Sequence, residues 1–364
     1  MISVEIIAFI AIFIVAWILL YASRRRLERF GVSVPIPFFV MYKSKVRDVW
    51  FPSISMSKAY RYYERAAVVL SIISMIGGIV LIFYIISEFI IPHPPSEKPA
   101  LSLTPIIPGI TISLSQTPFL LLALGISVAL HEIMHALSAT SNGIKVRNGG
   151  ILLLGIFPGA FVEPDEESFN SSTLSKKVKV IAAGIALNLI LAAIFFPITY
   201  FFPNLVSQGI LIESVVKDSA AYNSSLTPGD IIKAVDGTSV NNPYQLGNFL
   251  QKYRTNTYTI LLPNGTEREV VISTPSHFLG VYVTYYIPSI WLDIYTFVFW
   301  MFTINFSLAL FNGAPLIITD GGKIFTELLK RIMGTNGEKI SLYFQALLIL
   351  TFVYSILLSN HLLG

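Results

Sequence analysis

The stretch Pro118-Phe-Leu-Leu-Leu-Ala-Leu-Gly-Ile-Ser-Val-Ala-Leu-His131-Glu132-Ile-Met-His135-Ala-Leu-Ser-Ala139 places an ionisable cluster inside an apolar run. The run is long enough to cross a bilayer core as a helix, for which about 20 apolar residues suffice. On a helix, positions i and i+4 share a face, so the imidazoles of His131 and His135 can reach one ion. Glu132 lies about 100° round and can hold a water. An ionisable group inside a span costs at least ~2.5 kcal/mol, so three so close together are not core filler. Zinc suits this ligand set.

The rest of the composition agrees with a membrane setting. Hydrophobic residues make up 54% of the chain and charged ones 13%, against about 25% charged in globular proteins. That excess of apolar surface excludes a soluble cytoplasmic enzyme. The absence of cysteine excludes thiolate zinc sites, iron–sulfur clusters and cysteine nucleophiles. A net charge of +4, spread along the chain, does not suggest nucleic acid. Six apolar stretches predict spans: Ile6–Tyr21, Ala66–Ile91, Pro118–Ala139, Val180–Phe202, Ile290–Phe311 and Ser341–Leu358. The cluster Arg24-Arg25-Arg26 follows the first span, with Arg29, Lys43 and Lys45 beyond it. The positive-inside rule assigns that loop to the cytoplasm and the N-terminus to the outside. Lys176, Lys177, Lys179, Lys323, Lys330 and Arg331 then fall inside, and the loop Pro92–Thr117, with Lys98 its one cation, falls outside.

Two segments break the helical pattern. Gly143–Phe161 is interrupted by Gly and Pro and predicts β-hairpin-like strands lying at the membrane. Such backbone is tolerated there only when packed on protein or lining a cavity. From Asn204 to about Val283, charges return and β-branched residues alternate with polar ones. Gly209-Ile210-Leu211-Ile-Glu-Ser-Val-Val, then Leu226-Thr-Pro228-Gly229-Asp230, Asp236-Gly237 and the helix expected over Pro243–Tyr253, resemble a PDZ domain of the membrane-protease type. Such domains add an extended peptide at an exposed strand edge, and Gly209, Ile210 and Leu211 are expected to line that groove.

Two histidines leave the cluster short of a ligand. The candidate lies in Asn312-Gly-Ala-Pro315-Leu-Ile-Ile-Thr-Asp320-Gly321-Gly322, at the same depth as His131 and His135 under this topology. Asp320 as third ligand would leave a fourth position open, the pattern of catalytic zinc. Its alternative role is N-cap of a following helix.

His-Glu-x-x-His in one span, Asn-x-x-Pro-x-x-x-x-Asp-Gly near a later one and a PDZ-like insertion between them resemble the site-2 protease family of intramembrane metalloproteases. Gly184-Ile-Ala-Leu-Asn188 matches that family's Gly-x-x-x-Asn pattern, with Ile185 where Pro is common. The resemblance implies a polytopic α-helical membrane protein of about six transmembrane helices, with a membrane-associated β-strand segment and an inserted α/β PDZ domain. The chain then divides into a first span with its basic cytoplasmic loop (1–65), a membrane core with the His-Glu-x-x-His and Gly-x-x-x-Asn helices (66–203), an extracytoplasmic PDZ domain (204–283) and a membrane core with the Asp-Gly motif and last span (284–364). It implies hydrolysis of peptide bonds in or near transmembrane segments of membrane-protein substrates. Zn2+ would be held by His131, His135 and Asp320, with Glu132 as general base and acid. Asn188 and Asn312 are candidate donors to the substrate backbone or oxyanion, or else interhelical hydrogen-bonding residues. The expected location is the cell membrane, multi-pass, with the N-terminus and PDZ domain outside and the active site toward the cytoplasm. Partners would be lipid, membrane-protein substrates and a peptide or protein C-terminus at the PDZ domain. A zinc transporter using the same histidines as transport ligands stays open, as does a catalytically silent scaffold. No Gly-x-Ser-x-Gly supports a serine protease, Asp230 lies in the insertion, and His93, His277 and His361 lack ligand spacing.

Overall fold

The computed structural model describes residues 4–45, 55–90 and 106–361. Residues 92–105 of the expected outer loop, with His93 and Lys98, lie outside the described residues, as does the side chain of His361. The chain divides into two compact units, Met1–Ile194 with Trp300–Gly364, and Phe195–Phe299.

The first unit opens with α1 (Val4–Ala22) and a short α2 (Arg24–Leu27), followed by β1 (Val32–Ile36) and β2 (Phe39–Lys45). Then come α3 (Lys58–Ile90), α4 (Thr117–Ser141), β3 (Val146–Leu154), β4 (Phe157–Pro164), α5 (Glu166–Asn170) and α6 (Leu174–Val206). The second unit carries β5 (Ile210–Val215), α7 (Ala220–Asn223), β6 (Ile231–Val235), β7 (Thr238–Ser239), α8 (Pro243–Lys252), β8 (Thr255–Leu261), β9 (Glu267–Ser273) and β10 (Val281–Tyr285). The chain ends with α9 (Ser289–Gly313), α10 (Asp320–Met333) and α11 (Thr335–His361).

Each of the six apolar stretches falls on a helix. Among the described residues, α3, α4, α6 and α9 are long and apolar enough to cross a membrane, and α1 with the bent segment after it could make a fifth. Along α3 the large side chains Val69, Ile72, Ile73, Ile76, Val80 and Phe83 face outward, while Ala67, Ser71 and Ser74 are buried. Small and polar residues inside with bulky apolar ones outside is the packing logic of helices surrounded by lipid.

The strands expected at Gly143–Phe161 run slightly further and are joined by a second hairpin. The sheet order is β1-β2-β3-β4, antiparallel throughout. The stretch read as part of a basic loop thus supplies β1 and β2, whose hydrophobic residues alternate weakly and give little strand signal without a partner. Because β3 is paired on both sides, a free edge falls to β4, which packs on α4.

In the second unit the sheet order is β10-β5-β6-β8-β9, with β7 on β6. Its core is built from Ile210, Ile212, Ile232, Tyr258 and Ile260. Asp236 and Gly237 both have positive φ, the requirement of a tight two-residue hairpin. The expectation that Gly209–Leu211 borders an open groove is corrected here. Ile210 and Leu211 pair with Tyr285 and Thr284 of β10 on one side and with Ile232 and Ile231 of β6 on the other. The terminal strands of the sheet are β10, beside α8, and β9. A single strand's pattern reveals burial but not which neighbours pair with it.

The back of α4 is tied to α3 by a buried acid. Ser138 Oγ (2.8 Å) and Asn142 Nδ2 (2.7 Å) donate to Glu64 Oε1, Tyr60 donates to the Met134 carbonyl, and Tyr63 donates to the Ala183 carbonyl of α6. Replacing Glu64 with Leu strands both donors without water access. The expected loss is about 1–3 kcal/mol of stability, read as a lowered unfolding temperature in detergent.

Candidate metal centre

Helical geometry sets one stripe of α4 inward: Leu120, Ala123, Ser127, His131 and His135 are all buried. Opposite it, α6 presents Val180, Gly184 and Asn188, again one turn apart. Asn305 of α9 donates to Ser127 Oγ (2.8 Å), one turn before His131. The third wall is the start of α10. There Thr319, not Asp320, is the N-cap, its hydroxyl accepting from Gly322 N at 3.2 Å. Asp320 is the first helical residue and its side chain is released from capping, so the N-cap alternative does not hold. Cβ atoms on Gly321 and Gly322 would collide with the carbonyls of Gly313 and Leu316. The paired glycines are therefore what lets α10 start against the end of α9 and carry Asp320 to the histidines.

The result is a triangle of ligand atoms. His131 Nε2, His135 Nε2 and Asp320 Oδ2 are each 3.0 Å from the other two. Zn–N and Zn–O bonds of about 2.0–2.1 Å at tetrahedral angles put ligand atoms about 3.3 Å apart, so three such atoms can share one ion after a small expansion. The group is the cluster of His, Asp and Glu that could hold a metal among the described residues.

Both tautomers favour this use. His135 Nδ1 is 2.7 Å from the Val180 carbonyl, to which it donates, leaving Nε2 as acceptor. Asn188 meets His131 Nδ1 through its amide at 3.1 Å, and its Oδ1 is buried with no partner. Turning that amide over lets Oδ1 accept the Nδ1 proton and satisfies both groups, again freeing Nε2. Asn188 thus lies against His131, the interhelical contact that was the alternative to a substrate contact. Gly184 completes the fit: a Cβ there would lie 2.6 Å from both Nε2 atoms.

Glu132 points the other way, its Oε2 accepting from the Val162 amide of β4 at 3.0 Å. It lines a cavity of about 270 Å³ together with His135, Asp320, Lys323, Val162 and Phe169. Glu166 and Phe169 reach that wall from α5, capped by Asp165, whose carboxyl is held below its usual range chiefly by the Ser168 amide. Asn312 is half-buried at the end of α9 and is absent from the residues that line this cavity. His277 Nδ1 donates to the Leu250 carbonyl within the second unit, at 2.6 Å. Sequence reading missed Glu64, Ser138 and Asn142 behind α4, and Lys323. An acid just inside an apolar helix and a lysine three residues after a ligand were the available signals.

The model of peptidase family M50 matches residues 119–352. An uncharacterized protein of Methanocaldococcus jannaschii is 29% identical over 353 residues, covering 91% of this chain and 89% of that protein. A membrane-bound transcription factor site-2 protease homolog of Arabidopsis thaliana is 28% identical over 159 residues, 41% of this chain and 31% of its own length. An Arabidopsis protein named "Probable membrane metalloprotease, chloroplastic" is 33% identical over 152 residues, 32% of this chain and 33% of its own. The chain thus spans about a third of the length of each of these two Arabidopsis relatives.

Two substitutions test the cradle. Gly184→Ala should lower metal affinity at least about tenfold by placing a methyl over both Nε2 atoms. Asn188→Leu should lower it about 10–100-fold through loss of His131 orientation. Chelator competition on the purified protein measures both.

Proposed function

Because the chain belongs to peptidase family M50, the site-2 protease family, we propose that it is an intramembrane zinc metalloprotease, hydrolysing peptide bonds in or next to the transmembrane segments of other membrane proteins. The observation that carries this reading is the triangle of His131, His135 and Asp320 with Glu132 on the adjoining cavity wall. Three protein ligands leave a coordination position open, as catalytic rather than structural zinc requires. When bound, zinc supplies Lewis acidity that polarises the scissile carbonyl and acidifies water.

The residues do the rest. Glu132 takes the proton of the attacking water and returns it to the leaving amine. Its hydrogen bond from the Val162 amide orients the carboxylate. Asn188 and the Val180 carbonyl keep His131 and His135 in the tautomer that presents Nε2. A helical substrate hides its scissile bond and must be drawn out. The free edge of β4, which carries Val162, is suited to pair with such an extended segment. Asn312 is read as an interhelical or loop residue, since it is not among the residues lining the cavity.

The reading includes six spans, with the N-terminus and the unit around 204–283 outside and the site toward the cytoplasm, supported by the distribution of Arg24–Arg26, Lys176–Lys179 and Lys330–Arg331. That unit is read as a PDZ domain receiving a peptide C-terminus, at the β10 edge beside α8 instead of at Gly209–Leu211. Its place between the two halves of the membrane core suits regulated intramembrane proteolysis.

Glu132→Gln should retain stoichiometric zinc and lose cleavage of a single-span reporter by about 10²–10⁴-fold. Cleavage that survives in this variant would overturn the protease reading, and zinc flux into vesicles by the intact protein would favour a transporter.

A further inference from the structure

The two oxygens of Asp320 keep different company. Oδ2 is 3.0 Å from both His131 Nε2 and His135 Nε2. Oδ1 instead accepts from Lys323 Nζ at 3.0 Å. Lys323 stands three residues after Asp320, so both lie on the same face of the first turn of α10. That turn is the positive end of the helix dipole, where a cation is disfavoured. The dipole and the i, i+3 pairing with Asp320 act in opposite directions, so helix energetics alone do not decide for a lysine there.

Nor is Lys323 a buried structural partner. Its side chain is 61% exposed, and it lines the same cavity as Glu132 and His135. Its ammonium thus meets the third ligand from the cavity side, where the open position lies in the protease reading.

We propose that Lys323 is a positioning residue that sets the denticity of Asp320. By holding Oδ1 it leaves only Oδ2 to the metal. Without it, no other lysine or arginine among the described residues lining the cavity holds Oδ1, and both oxygens can close on the ion. The second oxygen would then raise the coordination number to five and crowd the position that a catalytic site keeps for water or substrate. Arginine can supply the same hydrogen bond and charge, whereas Met or Gln cannot supply the charge. The catalytic consequence rests on the metalloprotease reading; the coordination consequence does not.

Both can be measured on the full chain in detergent. Wild type, Lys323→Met, Lys323→Gln and Lys323→Arg are loaded with Co2+ and their visible ligand-field absorption is recorded with metal stoichiometry. Visible ligand-field bands of Co2+ weaken as the coordination number rises, and tetrahedral Co2+ absorbs more strongly than five-coordinate Co2+. The Met and Gln variants should bind Co2+ at wild-type stoichiometry with a several-fold weaker band, and Arg should restore it. In the zinc-loaded proteins, Lys323→Met should lower kcat at least about tenfold with little change in KM. A wild-type band in both neutral variants overturns the proposal. So does loss of metal from them, because Lys323 would then assemble the site without setting its denticity. If wild type cleaves no reporter, the protease reading fails while the cobalt band still reports on Lys323.

Discussion

The structure depends on one constraint: three ligand atoms, each 3.0 Å from the others, must converge inside a bundle built from apolar helices. In a low-dielectric interior, an unpaired polar group costs far more than at a surface. Every group not turned toward the triangle therefore needs its own partner. His135 Nδ1 has the Val180 carbonyl, His131 Nδ1 has Asn188, and Asp320 Oδ1 has Lys323. These contacts come from α6 and α10, so the helix arrangement and the orientation of the ligands are the same fact.

Close approach is the other side of that constraint. Gly184 leaves α6 without a side chain where the imidazoles point, and Gly321 with Gly322 lets α10 begin against the end of α9. A Cβ at Gly321 or Gly322 would meet backbone carbonyls, and one at Gly184 would meet the imidazoles themselves. Behind α4, Glu64 and the two tyrosines hold the helix by side-chain hydrogen bonds. In front, Glu132 is tied to the backbone of β4. The acid proposed to transfer protons and the strand proposed to take up extended peptide are thus linked by one hydrogen bond.

Several expectations were legible because they depend on local periodicity. The i, i+4 spacing of His131 and His135 guarantees a shared face on any helix. Asp236-Gly237 could form a tight turn in any hairpin, and it does. Other expectations needed partners that local sequence does not specify. Asn188 was ambiguous between substrate and helix contacts and lies against His131. Asn312 does not line the cavity. The Gly209–Leu211 strand was placed at an edge but is interior, because β10, some seventy residues later, covers it. The Val32–Lys45 hairpin was hidden in a basic loop, since its pairing with β3 spans more than a hundred residues.

By itself, the sequence determined the apolar helices, the chemistry of the ligand set and the motif pattern of a membrane metalloprotease family. Spacing, hydropathy and side-chain type are carried within a few helical turns, and no long-range contact can alter them. Only the tertiary structure decided that Gly184 leaves room over both Nε2 atoms, that Asn188 meets His131 and that Asp320 reaches both histidines. Those are matters of approach between helices far apart in the chain, and approach is decided by packing.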